Sequence, residues 1–283
     1  MATLTQEELE QWITTAATGK FHYTKVLDGQ ISPALHSQLR TMMHRCKEKG
    51  IAFPVDGRDG WWRPADTSLE EIRWWNGDEP EPDMLKLPLG INDYCYIPKP
   101  SLILVAGAYN TGKTAFMINV VNLNLEAFAD NIFMFVSEGG ELMRQRFSRL
   151  AVPMPIPPPF KMYRRFTNFV DIIEPDGLNV VDYLRVDMEK SYAIANELRD
   201  INAKLNNGYA VVAMQKPPGD RKLAFGGAAT AFEPTVYVSI DKDGLRFEKI
   251  KVPKLMDIDP YRTRITFRIK HGVNFEDIST VVE

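Results

Sequence analysis

Apolar residues recur at helical spacing in two stretches near the start of the chain. The first covers residues 6–17 and the second about 33–49, where Ser32 can cap the helix and Pro33 suits its first turn. Two short apolar segments then flank an Asp-Gly turn within residues 51–64, which predicts a β-hairpin. The start of the chain is therefore expected to contain two helices followed by a hairpin.

The order helix, short segment, long helix and hairpin is that of a winged helix-turn-helix, which predicts a small domain over residues 1–66. All five tryptophans fall within the first 75 residues, which also favours a separate module. Residues 67–99 are predicted to be a linker, because the stretch around 77–83 is acidic and rich in proline.

From residue 100 onward, strand-sized apolar runs alternate with helical stretches. This alternation predicts an α/β domain over residues 100–283, with a mostly parallel sheet flanked by helices. The proline-rich stretch 153–166 is predicted to be a loop, and the segments 247–250 and 264–269 a hairpin at the sheet edge. The predicted strands are 102–106, 132–136, 178–181, 210–214 and 236–240, and the predicted helices are about 113–127, 139–149 and 189–206.

The first of these strands leads into a glycine-rich loop, Gly107-Ala-Tyr-Asn-Thr-Gly-Lys113-Thr114, which fits the phosphate-binding pattern completely. Its glycines allow a tight turn whose amide groups surround a phosphate, and the following helix adds its positive N-terminus. Lys113 can reach the β- and γ-phosphates, while the Thr114 hydroxyl can bind Mg²⁺. The predicted nucleotide-binding residues are Gly107, Asn110, Thr111, Gly112, Lys113, Thr114 and Ala115, with ATP and Mg²⁺ as the expected cofactors.

Three later strand ends carry polar side chains that suit a hydrolytic site. Asp182 ends an apolar strand, as expected of a carboxylate that holds Mg²⁺ through water. Glu138 follows the strand 132–136 and can act as a general base on water, the alternative being an acid that caps the next helix. Gln215 ends the strand 210–214, where its amide can sense the γ-phosphate or simply mark the exit of the strand.

In order and spacing these motifs resemble the RecA-like ATPase core, and within it the DnaB-type helicase branch, over about residues 100–270. The matching residues are the phosphate loop, Val-Ser-Glu138, Val-Val-Asp182-Tyr-Leu and Ala-Met-Gln215. The resemblance implies that Asp182 binds Mg²⁺, Glu138 activates water and Gln215 senses the γ-phosphate. Lys113, Glu138 and Gln215 are thus the predicted catalytic residues. The resemblance also implies a site at a subunit interface, and hence a homo-oligomeric ring or filament.

The chain departs from DnaB-type helicases in two places. Those helicases carry an arginine finger and a Lys-x-Arg motif near the C-terminal strands, where this chain reads Glu248-Lys-Ile-Lys251-Val-Pro-Lys254. Lys251 or Lys254 is therefore the candidate for a contact from a neighbouring subunit. The N-terminal module also differs from the all-helical N-terminal domain of DnaB. The whole chain looks closer to small phage or plasmid-type ATPases that join a winged helix to a RecA-like core.

The net charge of −3 excludes a protein coated in basic residues, so any contact with DNA must come from local patches. In the N-terminal module the candidates are Arg45 and Lys47 on the long helix and Arg58 at the tip of the wing. A third patch is the loop after the strand 210–214, with Arg221 and Lys222. The alternatives are solvated surface residues or, for the module, a surface for a protein partner.

The remaining composition favours an intracellular protein. The two cysteines form no metal-site spacing, which suits a reducing compartment. No apolar run is long enough to span a bilayer and the start is polar, so no membrane contact and no secretory signal are expected. We expect the cytoplasm of a bacterial or phage-infected cell. The leading hypothesis is a DNA-associated ATPase of the helicase, translocase or recombinase type, and the alternative is a nucleotide-switched DNA-binding or assembly protein with little turnover.

Overall fold

The computed structural model describes residues 4–26, 32–69, 84–184, 193–219, 222–254 and 257–283. The chain divides into two compact units, Met1–Gly77 and Asp78–Glu283. The acidic centre of the predicted linker at 77–83, the first residues of the predicted helix 189–206, and Arg221 lie outside the described residues.

In the first unit, two helices pack with a small antiparallel sheet. The elements are α1 (Gln6–Thr15), β1 (Phe21–His22), α2 (Pro33–Glu48), β2 (Ala52–Pro54) and β3 (Trp61–Pro64). Thr5 and Glu8 form a capping box at the start of α1, and the Ser32 hydroxyl caps α2. Strands β2 and β3 form the predicted hairpin, and β1 adds a third strand beside β3 that the sequence analysis did not predict.

Among the described residues, the second unit is built on a nine-stranded sheet. Its strands are β4 (Ser101–Gly107), β5 (Ile132–Val136), β6 (Lys161–Arg164), β7 (Leu178–Leu184), β8 (Tyr209–Gln215), β9 (Val236–Asp241), β10 (Gly244–Ile250), β11 (Thr263–Lys270) and β12 (Asn274–Val282). They are ordered β12–β11–β10–β9–β4–β8–β7–β5–β6, in which the run from β9 to β6 is parallel. The remaining strands, β10 to β12, are added antiparallel.

Helices cover both faces of this sheet. They are α3 (Lys113–Leu123), α4 (Gly140–Phe147) and α5 (Ala193–Lys204). On β4, Ile103 and Val105 belong to the core that contains α3 and α4, whereas Leu102 and Leu104 belong to the core that contains α5. Burial on both faces explains why the central strands are continuous apolar runs. The predicted α/β architecture, a mostly parallel sheet flanked by helices, is confirmed at this level.

Both edges of the sheet differ from the prediction. The proline-rich stretch 153–166, predicted to be a loop, contains the edge strand β6, whose four residues are all exposed. The C-terminal tail forms three antiparallel strands instead of one hairpin, and β12 is a largely exposed edge strand. An edge strand that buries little apolar surface has no strong hydrophobic pattern, so the sequence did not mark either of them.

Part of the predicted linker packs into the second unit. Leu85, Leu87, Leu89 and Ile91 are buried in the same core as α3. The acidic and proline-rich residues just before them dominate the composition of this stretch and conceal the short apolar pattern. None of the described helices combines the length and apolar character that a membrane crossing requires.

Candidate active site

The phosphate loop connects the end of β4 to the start of α3. Gly112 precedes α3 with a φ of 107°, a left-handed conformation that favours glycine, and no side chain caps this helix. A Cβ atom at Gly107 would lie within 3.0 Å of the Thr111 hydroxyl and the Lys113 side chain. The two glycines thus permit a tight turn that leaves the first amide groups of α3 available to an anion.

The sheet topology brings the predicted side chains to the edge where this loop lies. Strand β8 lies between β4 and β7, Gly107 is paired with Gln215, and Val136 is paired with Asp182. Because these strands are parallel, their C-terminal ends meet in one crevice of the kind that binds ligands in α/β sheets. The crevice has a volume of about 470 Å³. Nine of the predicted site residues line it: Asn110, Thr111, Gly112, Lys113, Thr114, Ala115, Glu138, Asp182 and Gln215.

The Lys113 amine is turned back onto the loop. Its Nζ donates hydrogen bonds to the carbonyl oxygens of Gly107 and Ala108 at 2.8 and 2.7 Å, and to Gln215 Oε1 at 3.1 Å. Burial lowers the pKa of Lys113 to about 8, and the negative charge of Asp182 partly opposes this shift. The side chain predicted to sense the γ-phosphate is therefore in direct contact with the lysine predicted to bind it.

Asp182 is a buried carboxylate near the C-terminal end of β7. Burial raises the pKa of Asp182 to about 6, a hydrogen bond from the Thr114 hydroxyl opposes the rise, and the negative charge of Glu138 adds to it. A bound cation would favour the charged carboxylate. Mg²⁺ is usually held by one or two protein groups, with water and substrate phosphates completing its octahedral shell. The neighbouring Thr114 hydroxyl and Asp182 carboxylate fit this requirement.

Glu138 forms an ion pair with Arg146 on α4, a residue that the sequence analysis did not single out. Arg146 donates from both terminal nitrogens to the two carboxylate oxygens of Glu138, the longer of the two contacts being 3.2 Å. Both residues line the cavity, and their side chains are 34% and 27% exposed for Glu138 and Arg146 respectively. Glu138 does not cap α4, because the N-cap residue is Gly139 and no side chain caps this helix.

Another wall of the cavity comes from the turn between β11 and β12. Ile269 and Gly272 line the cavity, and a Cβ atom at Gly112 would collide with the Ile269 side chain. The turn is fixed to α3 because Asn119 Nδ2 donates a hydrogen bond to the Val273 carbonyl at 2.6 Å. Sequence reasoning missed Ile269 and Gly272, because no pattern in the sequence near β11 and β12 indicates a contact with the phosphate loop.

The two lysines predicted to reach a neighbouring subunit are bound within their own chain. Lys251 Nζ donates a hydrogen bond to the Glu233 carbonyl at 2.7 Å, and Lys254 Nζ donates one to the Asn92 carbonyl at 2.5 Å. Lys254 Nζ also lies 4.8 Å from the centroid of the Tyr96 ring. Neither lysine lines the nucleotide cavity, so a contact to another subunit stays a prediction.

In the first unit, a groove between α2 and the β2–β3 hairpin joins two of the predicted nucleic-acid residues. Lys47 from α2 and Arg58 from the hairpin turn both line this groove, which has a volume of about 490 Å³. We call it the basic groove, because with Arg40 its three cationic side chains outnumber the two acids in its lining, Asp56 and Asp59. The Arg58 guanidinium lies 5.7 Å from the centroid of the Trp61 ring, so an aromatic surface adjoins the positive charge.

The other predicted nucleic-acid residues lie elsewhere. Arg45 is exposed on α2 but lines a separate depression next to Gln38 and Thr41. Lys222 is exposed in the second unit, and Arg221 lies outside the described residues. Helical geometry explains the separation of Arg45 from Lys47, since residues two apart on a helix do not share a face.

The cavity of the second unit thus combines a phosphate loop, a buried carboxylate, an arginine-bound glutamate and an amide in contact with the loop lysine. No protein-family model matches the chain, and no curated protein matches it either. The case for a function therefore depends on the geometry of these residues and on the motifs that supplied them.

Proposed function

We propose that the chain is a Mg²⁺-dependent ATPase that acts on DNA as a homo-oligomer. The observation that carries this proposal is the convergence of the phosphate loop with Asp182, Glu138 and Gln215 in one cavity. Transfer of a phosphoryl group to water requires a cradle for the phosphates, a ligand for the metal and a group that orients or deprotonates water. The resemblance of the motifs to RecA-like ATPases supports the same assignment and the expectation of a ring or filament.

The roles follow from where each group lies. The first amides of α3 and Lys113 bind the β- and γ-phosphates, for which Lys113 leaves the carbonyl oxygens that now hold it. Thr114 and Asp182 would hold Mg²⁺, which when bound would supply positive charge to the phosphates. Glu138 accepts the proton of the attacking water. Gln215, which already contacts Lys113, responds when the γ-phosphate is lost.

Features of the first unit support the DNA part of the proposal. Two helices and a three-stranded antiparallel sheet suit a winged helix-turn-helix, with α2 as the recognition helix and the hairpin as the wing. Lys47 and Arg58 line the same groove, where both can contact a phosphate backbone. Lys222, after the strand that ends in Gln215, supplies a further exposed positive charge.

The second candidate function is a nucleotide-switched DNA-binding or assembly protein with little turnover. Two observations favour it. Both carboxylate oxygens of Glu138 are engaged by Arg146, which leaves the general base occupied. Lys251 and Lys254 are held by carbonyl groups of their own chain instead of being free for a neighbouring site.

ATP turnover with and without single-stranded DNA separates the two candidates. We expect Glu138→Gln to retain ATP binding but to lose turnover by about 10²–10⁴-fold, since a general base contributes that much. The matched control is Glu141→Gln, an exposed acid on α4 that also pairs with an arginine but does not line the cavity. If the protein binds ATP and DNA but shows no turnover in either condition, the ATPase is refuted and the nucleotide-switched protein is supported. Unchanged turnover in Glu138→Gln would refute the role of Glu138.

A further inference from the structure

The ion pair between Arg146 and Glu138 is not explained by the phosphate loop or by the predicted role of the glutamate. A guanidinium that binds both oxygens of a carboxylate makes the strongest kind of charge-assisted hydrogen bond between side chains. With both oxygens engaged, Glu138 has little capacity to take a proton from water.

The pair lies where a nucleotide would compete for it. Arg146 and Glu138 line the same cavity as Lys113 and Thr114, which are positioned to bind the phosphates. Guanidinium groups bind phosphate oxygens in the same two-pronged manner as carboxylate oxygens. A triphosphate in this cavity carries several negative charges, whereas Glu138 carries one, so the electrostatic exchange of one anion for the other favours the phosphate.

The surroundings of α4 allow this exchange through a side-chain movement. Met143 and Phe147 are buried in the core and hold the helix against the sheet. Beyond the helix, Asn274 accepts a hydrogen bond from the Ala151 amide at 2.9 Å and donates one to the Arg149 carbonyl at 2.7 Å. The Arg146 side chain, by contrast, is partly exposed. It can therefore rotate while its helix stays in place.

We propose that Arg146 is a further ligand of the γ-phosphate, through which this site favours a nucleoside triphosphate over a diphosphate. Before a triphosphate binds, Arg146 restrains Glu138. When a triphosphate binds, Arg146 turns to the γ-phosphate, and Glu138 becomes free to accept a proton from water. The inference rests on the proposed nucleotide site and adds a γ-phosphate ligand that also controls the general base.

The test is the binding of ADP and of a non-hydrolysable ATP analogue, both with Mg²⁺, to the full chain. We expect Arg146→Gln to lower the affinity for the analogue by about tenfold or more while the affinity for ADP stays the same, since one charged hydrogen-bonded contact is lost. Arg146→Lys, which keeps the charge but not the two-pronged contact, should fall between wild type and Arg146→Gln. The matched control is Arg144→Gln, on the same helix and paired with Glu141 outside the cavity.

Glu138→Gln gives the readout that a purely structural ion pair would not produce. Because it removes the anion that competes for Arg146, it should raise the preference for the analogue over ADP, and Arg146→Gln should abolish that gain in the double variant. Equal losses of ADP and analogue affinity in Arg146→Gln, or no gain in Glu138→Gln, would overturn the inference. Turnover is scored separately. If the wild type hydrolyses ATP but Arg146→Gln prefers the analogue over ADP as strongly as the wild type, only the role of Arg146 is refuted. If the preference for the analogue depends on Arg146 but the wild type has no turnover, only the proposed hydrolysis is refuted.

Discussion

The nucleotide cavity of the second unit and the basic groove of the first unit both gather charged side chains, but they are built in different ways. The cavity draws on the ends of strands β4, β5, β7 and β8 and on a distant turn, and its central charges are buried. The groove is made by one helix and the hairpin that follows it, and its charges are exposed. The first arrangement suits chemistry, and the second suits reversible contact with a charged surface.

Burial decides how strongly the charges of each region act. In the cavity, burial lowers the pKa of Lys113 to about 8 and raises that of Asp182 to about 6. In the groove, the Arg40–Asp59 pair at 3.3 Å is 59% and 93% exposed, and such exposed pairs contribute little to stability. Substitutions in the cavity should therefore have large effects, while those in the groove should have small effects that salt can screen.

Apart from Glu138→Gln, the largest effect is expected at Lys113. We predict that Lys113→Ala lowers ATP turnover by about 10²–10³-fold, the usual loss when one group that stabilises transition-state charge is removed. Steady-state turnover and nucleotide binding measure the change. Lys242→Ala is the control, since Lys242 is an exposed lysine between β9 and β10 and does not line the cavity. Equal activity of the two variants would break the contrast between buried and exposed charges.

A smaller effect concerns stability. We predict that Asp182→Asn stabilises the second unit, free of nucleotide and Mg²⁺, by about 3 kcal/mol at pH 7, because it removes a buried charge whose pKa is raised from 3.8 to about 6. A raised pKa means that the folded state binds the proton more tightly than the unfolded chain. The stabilising contribution of protonated Asp182 should therefore be lost as pH rises from about 4 to 6, and Asp182→Asn should lack this loss.

Denaturant unfolding at several pH values measures this difference. The gap between Asp182→Asn and wild type should open between pH 4 and 6 and stay constant above pH 6. Asp200→Asn is the control, since Asp200 lies on α5 with its side chain 50% exposed. Asp182→Asn should also lose any stabilisation that Mg²⁺ with ATP gives the wild type. A gap that is independent of pH would mean that the Asp182 carboxylate is not penalised by burial.

The same contrast explains how much could be predicted from the sequence. Strands such as β4 and β8 are buried on both faces, so they appear in the sequence as unbroken apolar runs whose ends can be predicted. Glu138 and Asp182 were found because they follow such runs, and parallel pairing then placed them in one cavity. The buried strands thus made both the fold and the two acids of the site predictable from the sequence.

What the sequence did not reveal depends on side-chain contacts made in the folded chain. Arg146 joins the site because α4 returns its side chain to Glu138, and Ile269 joins it because the β11–β12 turn lies over the phosphate loop. Neither contact leaves a local pattern. The exposed edge strand β6 was missed for the related reason that it buries too little apolar surface to show a period.

The smallest effects are expected in the basic groove. We predict that Lys47→Gln and Arg58→Gln each weaken DNA binding a few-fold and lower the slope of log affinity against log salt by about one, as loss of a single phosphate contact does. Arg45→Gln is the matched control, because Arg45 is equally exposed on α2 but lines a different depression. Titration of duplex DNA at several salt concentrations gives both quantities. If Arg45→Gln weakens DNA binding as much as Lys47→Gln, the total positive charge of α2 determines binding and the groove is not a specific DNA contact. If none of the three changes DNA binding, the groove is left as a surface for a protein partner.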